Sequence, residues 1–224
     1  MKNFLLTWYG ITDLRASLGF ENTDGPIAGA LAAEPYSDLV ILGYTRADNE
    51  SAACSQAQRG FAAEWAAIRS AGQEKDREAA GAFISKFANT SAAHAHFTGW
   101  LKEKAVQTGT RIRFQSEKLR ELNDTEGIYA CSMRALGLVA QDPDDKQVTL
   151  YLSPGTPVMA FVWAFAALSH PDLKKRLIAS PVIGKAPGVI PLPAEWLERH
   201  GAMQKMLHSA VDEDGSFDVV YHLF

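Results

Sequence analysis

The chain has 224 residues, 47% of them apolar, which is enough to bury the core of a large domain and excludes a tail or a linker. Its 22 basic and 26 acidic residues give a formal net charge of −4, and the basic ones are scattered. That distribution argues against binding duplex nucleic acid through a broad cationic face, but leaves room for a small anion in one local pocket.

Residues 4–9 form a buried-type apolar strand, too short for the apolar region of a secretory signal and without a small-residue cleavage site. Gly10, Ile11, Thr12, Asp13, Leu14 and Arg15 follow as a polar turn region, and Asp24 or Gly25 opens a helix over 25–33 with Pro26 at its first position. A second buried strand over 39–44 ends in Thr45. From about 51 to 122 the rhythm is helical, with Phe61, Trp65 and Ile68 as a packing stripe and Phe83, Phe87, Phe97, Trp100 and Leu101 at buried positions. Residues 111–116 within that stretch alternate like a strand, and Asp124 or Thr125 caps a helix through Ile128, Met133, Leu136 and Val139.

The most informative segment comes next. Residues 148–152 are branched or aromatic enough for a central strand, Ser153, Pro154, Gly155 and Thr156 are turn chemistry, and Pro157 suits the first position of an apolar helix that includes Met159 and Trp163. Residues 176–180 read as a further strand, 194–208 as a helix and 217–224 as a last strand whose abrupt end suggests the sensory part of a longer protein. The longest apolar run, 158–168, is too short to span a bilayer. The pattern predicts one α/β domain over 1–224: a Rossmann-like, mostly parallel sheet with helices on both faces and a helical insertion at about 51–122.

Two hydroxyl-bearing turns at strand ends, each leading into a helix, are suited to an anion, because free helix N–H groups point at whatever lies above the sheet edge. On neighbouring parallel strands they would form one pocket. No glycine-rich dinucleotide fingerprint, phosphate-loop lysine or serine nucleophile elbow is present, so no cofactor is expected. His94 and His96 lie two apart in a helical stretch, where their rings diverge, and no metal site is expected. Cys54 and Cys131 are far apart and without partners at metal-ligand spacing, and read as reduced thiols of a cytoplasmic protein.

Trp8-Tyr-Gly-Ile-Thr-Asp-Leu-Arg-Ala16, Gly25-Pro-Ile followed by Ala30-Leu31, and above all Leu152-Ser-Pro-Gly-Thr-Pro-Val-Met159 with Val162-Trp163 resemble the CARF family, the CRISPR-associated Rossmann-fold sensor domains. The resemblance is closest to the sensor that precedes the ATPase in regulators of the RNA-terminal-phosphate-cyclase operon. It implies a homodimer whose cleft takes a cyclic oligoadenylate or an RNA end, signalling to a fused or associated effector. It places Gly10, Ile11, Thr12, Asp13, Arg15, Thr45, Ser153, Pro154, Gly155, Thr156, Pro157 and Met159 at the ligand, with Arg15 as the phosphate partner. Some members are ring nucleases that cleave their ligand without a metal. Members that cleave often carry a lysine in the late turn, where this chain has Thr156 and Pro157, so binding is the first expectation and cleavage the second.

Overall fold

Strands that are apolar on both sides need cover on both faces, and the chain provides it. The computed structural model describes residues 1–46, 52–73, 76–106, 108–170, 173–181 and 185–191. In chain order the elements are β1 (Lys2–Trp8), α1 (Ile11–Ser17), α2 (Gly25–Ala33), β2 (Asp38–Arg46), α3 (Ala52–Ser70), α4 (Arg77–Phe87), α5 (Ser91–Ala105), β3 (Arg111–Leu119), α6 (Thr125–Ala140), β4 (Lys146–Tyr151), α7 (Pro157–Leu168), β5 (Lys174–Ala179) and β6 (Gly188–Ile190).

The six strands form one sheet in the order β3-β2-β1-β4-β5-β6. All neighbours are parallel except β5 and β6, where Ile178 lies opposite Val189 in an antiparallel pair. Register places Trp8 beside Leu42 on one side of β1, and Thr7 beside Tyr151 on the other.

Side chains alternate across the sheet, so β1 serves two cores. Leu5 and Tyr9 join Leu39, Ile41, Tyr151 and Ile178 in a cluster completed by α1, α2 and the aromatic residues Phe61, Phe83, Phe87 and Phe97. The other side of the strands carries Leu6, Trp8, Leu42, Val148 and Leu150, all buried, and α6 and α7 bring the buried Ile128, Leu136, Val162 and Trp163.

The helical middle is α3, α4 and α5, three helices in the crossover from β2 to β3. As the alternation at 111–116 predicts, the segment after α5 is a strand: residues 111–119 are the edge strand β3, exposed or half-buried up to the buried Leu119. Phe61 is buried, and Trp65 and Ile68 pack against the same cluster. Asp76 and Thr90 cap α4 and α5 by accepting from main-chain N–H groups.

The sequence reads one domain over 1–224; residues 1–190 form one compact unit. The helix expected at 194–208 and the strand expected at 217–224 lie outside the described residues, as does the side chain of Cys54. Cys131 is buried as a free thiol. Among the described residues no helix is long and apolar enough to cross a membrane.

Candidate functional site

Strand order reverses between β1 and β4: the chain leaves β1 for helices on one face and β4 for a helix on the other. The carboxyl ends of two such strands leave a crevice between their turns, the usual ligand position in an open α/β sheet. Here the two turns touch. A Cβ placed on Gly10 would lie 3.1 Å from the Gly155 nitrogen and 3.6 Å from the Pro154 Cα, so only glycine allows this approach without displacement. Gly155 has φ +89°, and a Cβ there would meet the Trp8 Cβ and the Met159 sulfur, both at 2.9 Å.

The residues after Gly10 form the short helix α1 rather than an open turn, which reorients the side chains expected at a ligand. Asp13 is fully buried, and its carboxylate accepts from the Gly10 N–H at 3.3 Å and from the Ile27 N–H at 2.9 Å. It thereby ties the starts of α1 and α2 together. Burial pushes its carboxyl up to about 7, against the opposing effect of the two N–H donors. Arg15 pairs with Glu21 in the loop after α1 instead of standing free at the turns. Ile11 is exposed and Thr12 half-buried at the mouth of the crevice.

On the β4 side Thr156 caps α7, its hydroxyl accepting from the Met159 N–H at 3.2 Å. Ser153 and Gly155 are exposed, Pro154 is buried and Pro157 is exposed on the first turn of α7. Met159 is buried beneath the turn instead of lining the mouth, its sulfur 3.4 Å from the Thr156 nitrogen. Thr45 lies on β2, three residues beyond the level where β1 ends, and donates its hydroxyl to the Glu117 carbonyl at 3.2 Å. It is not brought to the crevice.

Two residues absent from the sequence expectation complete this edge. Ser180, just after β5, donates its N–H to the Ser153 hydroxyl at 2.7 Å, and its own hydroxyl lies 2.5 Å from the Tyr151 hydroxyl. Burial raises the Tyr151 phenol above its ordinary value. Ser153 can still donate a hydrogen bond while accepting that one. The serine after β5 carried a weak signal, since strand-end residues on the next parallel strand share the same edge.

His94 and His96 sit on α5 in different surroundings. His94 is buried, shares a 2.9 Å hydrogen bond with Ser116 and is pushed by burial down to about 4, while His96 donates to the Ser17 carbonyl at 3.3 Å. Among the described residues no group of three or more His, Cys, Asp or Glu is placed to hold a metal ion.

The crevice is therefore built from main-chain N–H groups and hydroxyls, with its one carboxylate buried under it. Such a lining can hold phosphate or ribose oxygens by hydrogen bonding. Sheet order and the paired turns define a Rossmann-like α/β domain with its topological switch point between β1 and β4. No protein-family model matches the chain, and no curated protein matches it. Among solved structures it is similar to Csm6 of Enterococcus italicus bound to cyclic hexa-2′-fluoro-hexa-dAMP, with a TM-score of 0.54 and 14% sequence identity. The match covers 94% of this chain and 47% of that one, so this chain spans about half the length of its neighbour. The likeness supports a CARF-type fold.

Proposed function

We propose that this chain is a sensor module that binds a cyclic oligoadenylate at the β1/β4 switch point of a homodimer, and signals through a fused or associated effector in CRISPR-type antiviral defence. The observation that carries this reading is the contact between the Gly10 and Gly155 turns, which joins two helix starts into one crevice. The fold shared with a cyclic-oligoadenylate-bound Csm6 supports the choice of ligand.

The ligand-facing set is Gly10, Ile11, Thr12, Ser153, Gly155, Thr156 and Pro157, together with Ser180. Exposed apolar surface supports the dimer. α7 leads directly from the Ser153 turn and presents Phe161 and Phe165, 69% and 55% exposed, with near-parallel rings 6.5 Å apart. Covering what remains exposed of each in a dimer would contribute about 1–2 kcal/mol.

Cleavage of the ligand would need a group to align the 2′-hydroxyl and stabilise the charged phosphorus. Thr156 and Pro157 stand where members that cleave often carry a lysine, and Arg15 is engaged with Glu21, which favours binding over ring-nuclease activity.

The test incubates the protein with cyclic tri-, tetra- and hexa-adenylate and follows melting temperature and products together. Stabilisation by one ring size with the ligand recovered intact is the expected result, and it should grow as ligand exceeds its dissociation constant. Ser153→Ala should weaken binding with little change in the ligand-free melting temperature, because Ser153 is exposed. Linear products would establish a nuclease, and no response to any ring would sink the reading and direct the search to RNA ends.

A further inference from the structure

A groove on the helical side of the molecule shares no lining residue with the switch-point turns. Its main cavity measures about 740 Å³ and lies between the α1–α2 loop, α3 and α5. That volume falls within the range of about 300–1,000 Å³ typical of small-molecule sites. A second cavity of about 420 Å³ adjoins it, sharing Trp65, Arg69 and His96.

Two facing helices supply the walls at helical spacing. On α3, Trp65 and Arg69 are four residues apart and so lie on one side of the helix. On α5, His96, Trp100 and Lys104 repeat the same interval. Neither indole is fully buried: Trp65 packs edge-on against Phe20, and Trp100 lies tilted against Phe97 with the Lys104 ammonium 5.5 Å from its ring centroid.

The charges around the groove are unevenly matched. Lys104 pairs with Asp24 at 2.7 Å, and Glu21 pairs with Arg15, so both carboxylates at the rim are neutralised. Arg69 is exposed and has no carboxylate partner among the described residues. What remains is a pair of indoles for a flat ring and one guanidinium for an anion a short distance from them.

We propose that this groove is a second binding site, for a nucleotide whose base lies against Trp65 and Trp100 and whose phosphate pairs with Arg69. Indole faces stack on any base, which makes them tolerant of sequence, and the planar fork of arginine matches a phosphate. The site is independent of the ligand proposed for the switch point, and its failure would leave that reading standing.

The experiment is calorimetric titration of the whole chain with adenosine 5′-monophosphate, and with adenosine and ribose 5-phosphate as half-ligands. Saturable binding of the monophosphate, stronger than that of either half, is expected. Arg69→Ala, an exposed position, should weaken it by about tenfold or more, the scale of a lost hydrogen-bonded charge. Trp100→Leu should weaken it by at least about fivefold. Ser153→Ala should bind the monophosphate like the parent. Absence of saturable binding would overturn the proposal. So would unchanged affinity in Arg69→Ala, or loss of binding in Ser153→Ala, which would place the monophosphate at the switch point.

Discussion

The two turns that meet at the switch point are braced by different physics. The β1 turn is held from beneath by a titratable group: one buried carboxyl, Asp13, accepts from N–H groups at the starts of α1 and α2. The β4 turn is held by shape and neutral contacts, with the Thr156 cap, the Met159 side chain against Gly155, and the buried Trp163 one helical turn further along α7. The difference teaches that similar strand-turn-helix segments need not respond alike to conditions. The first should follow pH, and the second should follow changes in volume.

The packed side should break hardest. Trp163→Ala should destabilise the protein by about 3–5 kcal/mol in urea unfolding, the cost of emptying a buried aromatic site. Gly155→Ala should cost about 2–4 kcal/mol, since the new methyl would sit at positive φ against Trp8 and Met159. A loss under about 0.5 kcal/mol for either, the size of an ordinary surface change, would show that this turn is not held by shape.

The titratable side should be sharpened by pH. The folded Asp13 carboxyl titrates near 7 against an ordinary 3.8, so between those values the folded chain keeps a proton that the unfolded chain releases. Stability from this group is present at low pH and lost as pH rises, by about 2 kcal/mol between pH 5 and 7. His94 has the opposite sign. Its folded value near 4 lies below the ordinary 6.5, so its contribution is present above 6.5 and lost as pH falls toward 4. The two slopes overlap and offset each other. Asp13→Asn should therefore uncover a fall in stability toward acid that the parent hides, measured as urea midpoints from pH 4.5 to 8. Parallel profiles for parent and variant would mean that Asp13 does not brace the turn as a titrating group.

The smallest effect belongs to the cap. Thr156→Ala should cost about 1 kcal/mol, and Thr156→Ser much less, because the serine hydroxyl can still accept from the Met159 N–H. Equal losses in the two variants would assign the effect to the threonine methyl.

Much of this architecture was legible in the chain because the central strands are continuous apolar runs bounded by turn residues. Strands β1, β2 and β4 could be placed that way, and Asp24, Asp124 and Pro157 marked helix starts. The position of the two turns on neighbouring strands followed from fold expectation. Side-chain direction did not. α1 is only seven residues long and carries Thr12 and Asp13 in its first turn, so it reads as a loop, and a loop would have left Asp13 and Arg15 free to face a ligand. Once it coils, Asp13 turns inward and Arg15 reaches Glu21, six residues on. Ser180 was missed for another reason. Its bond to Ser153 spans 27 residues and depends on the β4–β5 register, which local periodicity does not encode.

Two indoles far apart in sequence, Trp8 and Trp163, are fully buried with no acceptor for their ring nitrogens among the described residues. Emission from such dry indoles lies to the blue of emission from the partly exposed Trp65 and Trp100. Trp8 ends the strand that feeds the first turn, and Trp163 stands on the helix that leaves the second. Once Trp196, the fifth tryptophan of the chain, is replaced by phenylalanine, the spectrum of the unlabelled protein carries a blue component from beneath the two turns and a red component from the helical groove, so that excitation at one wavelength can watch both regions without a dye.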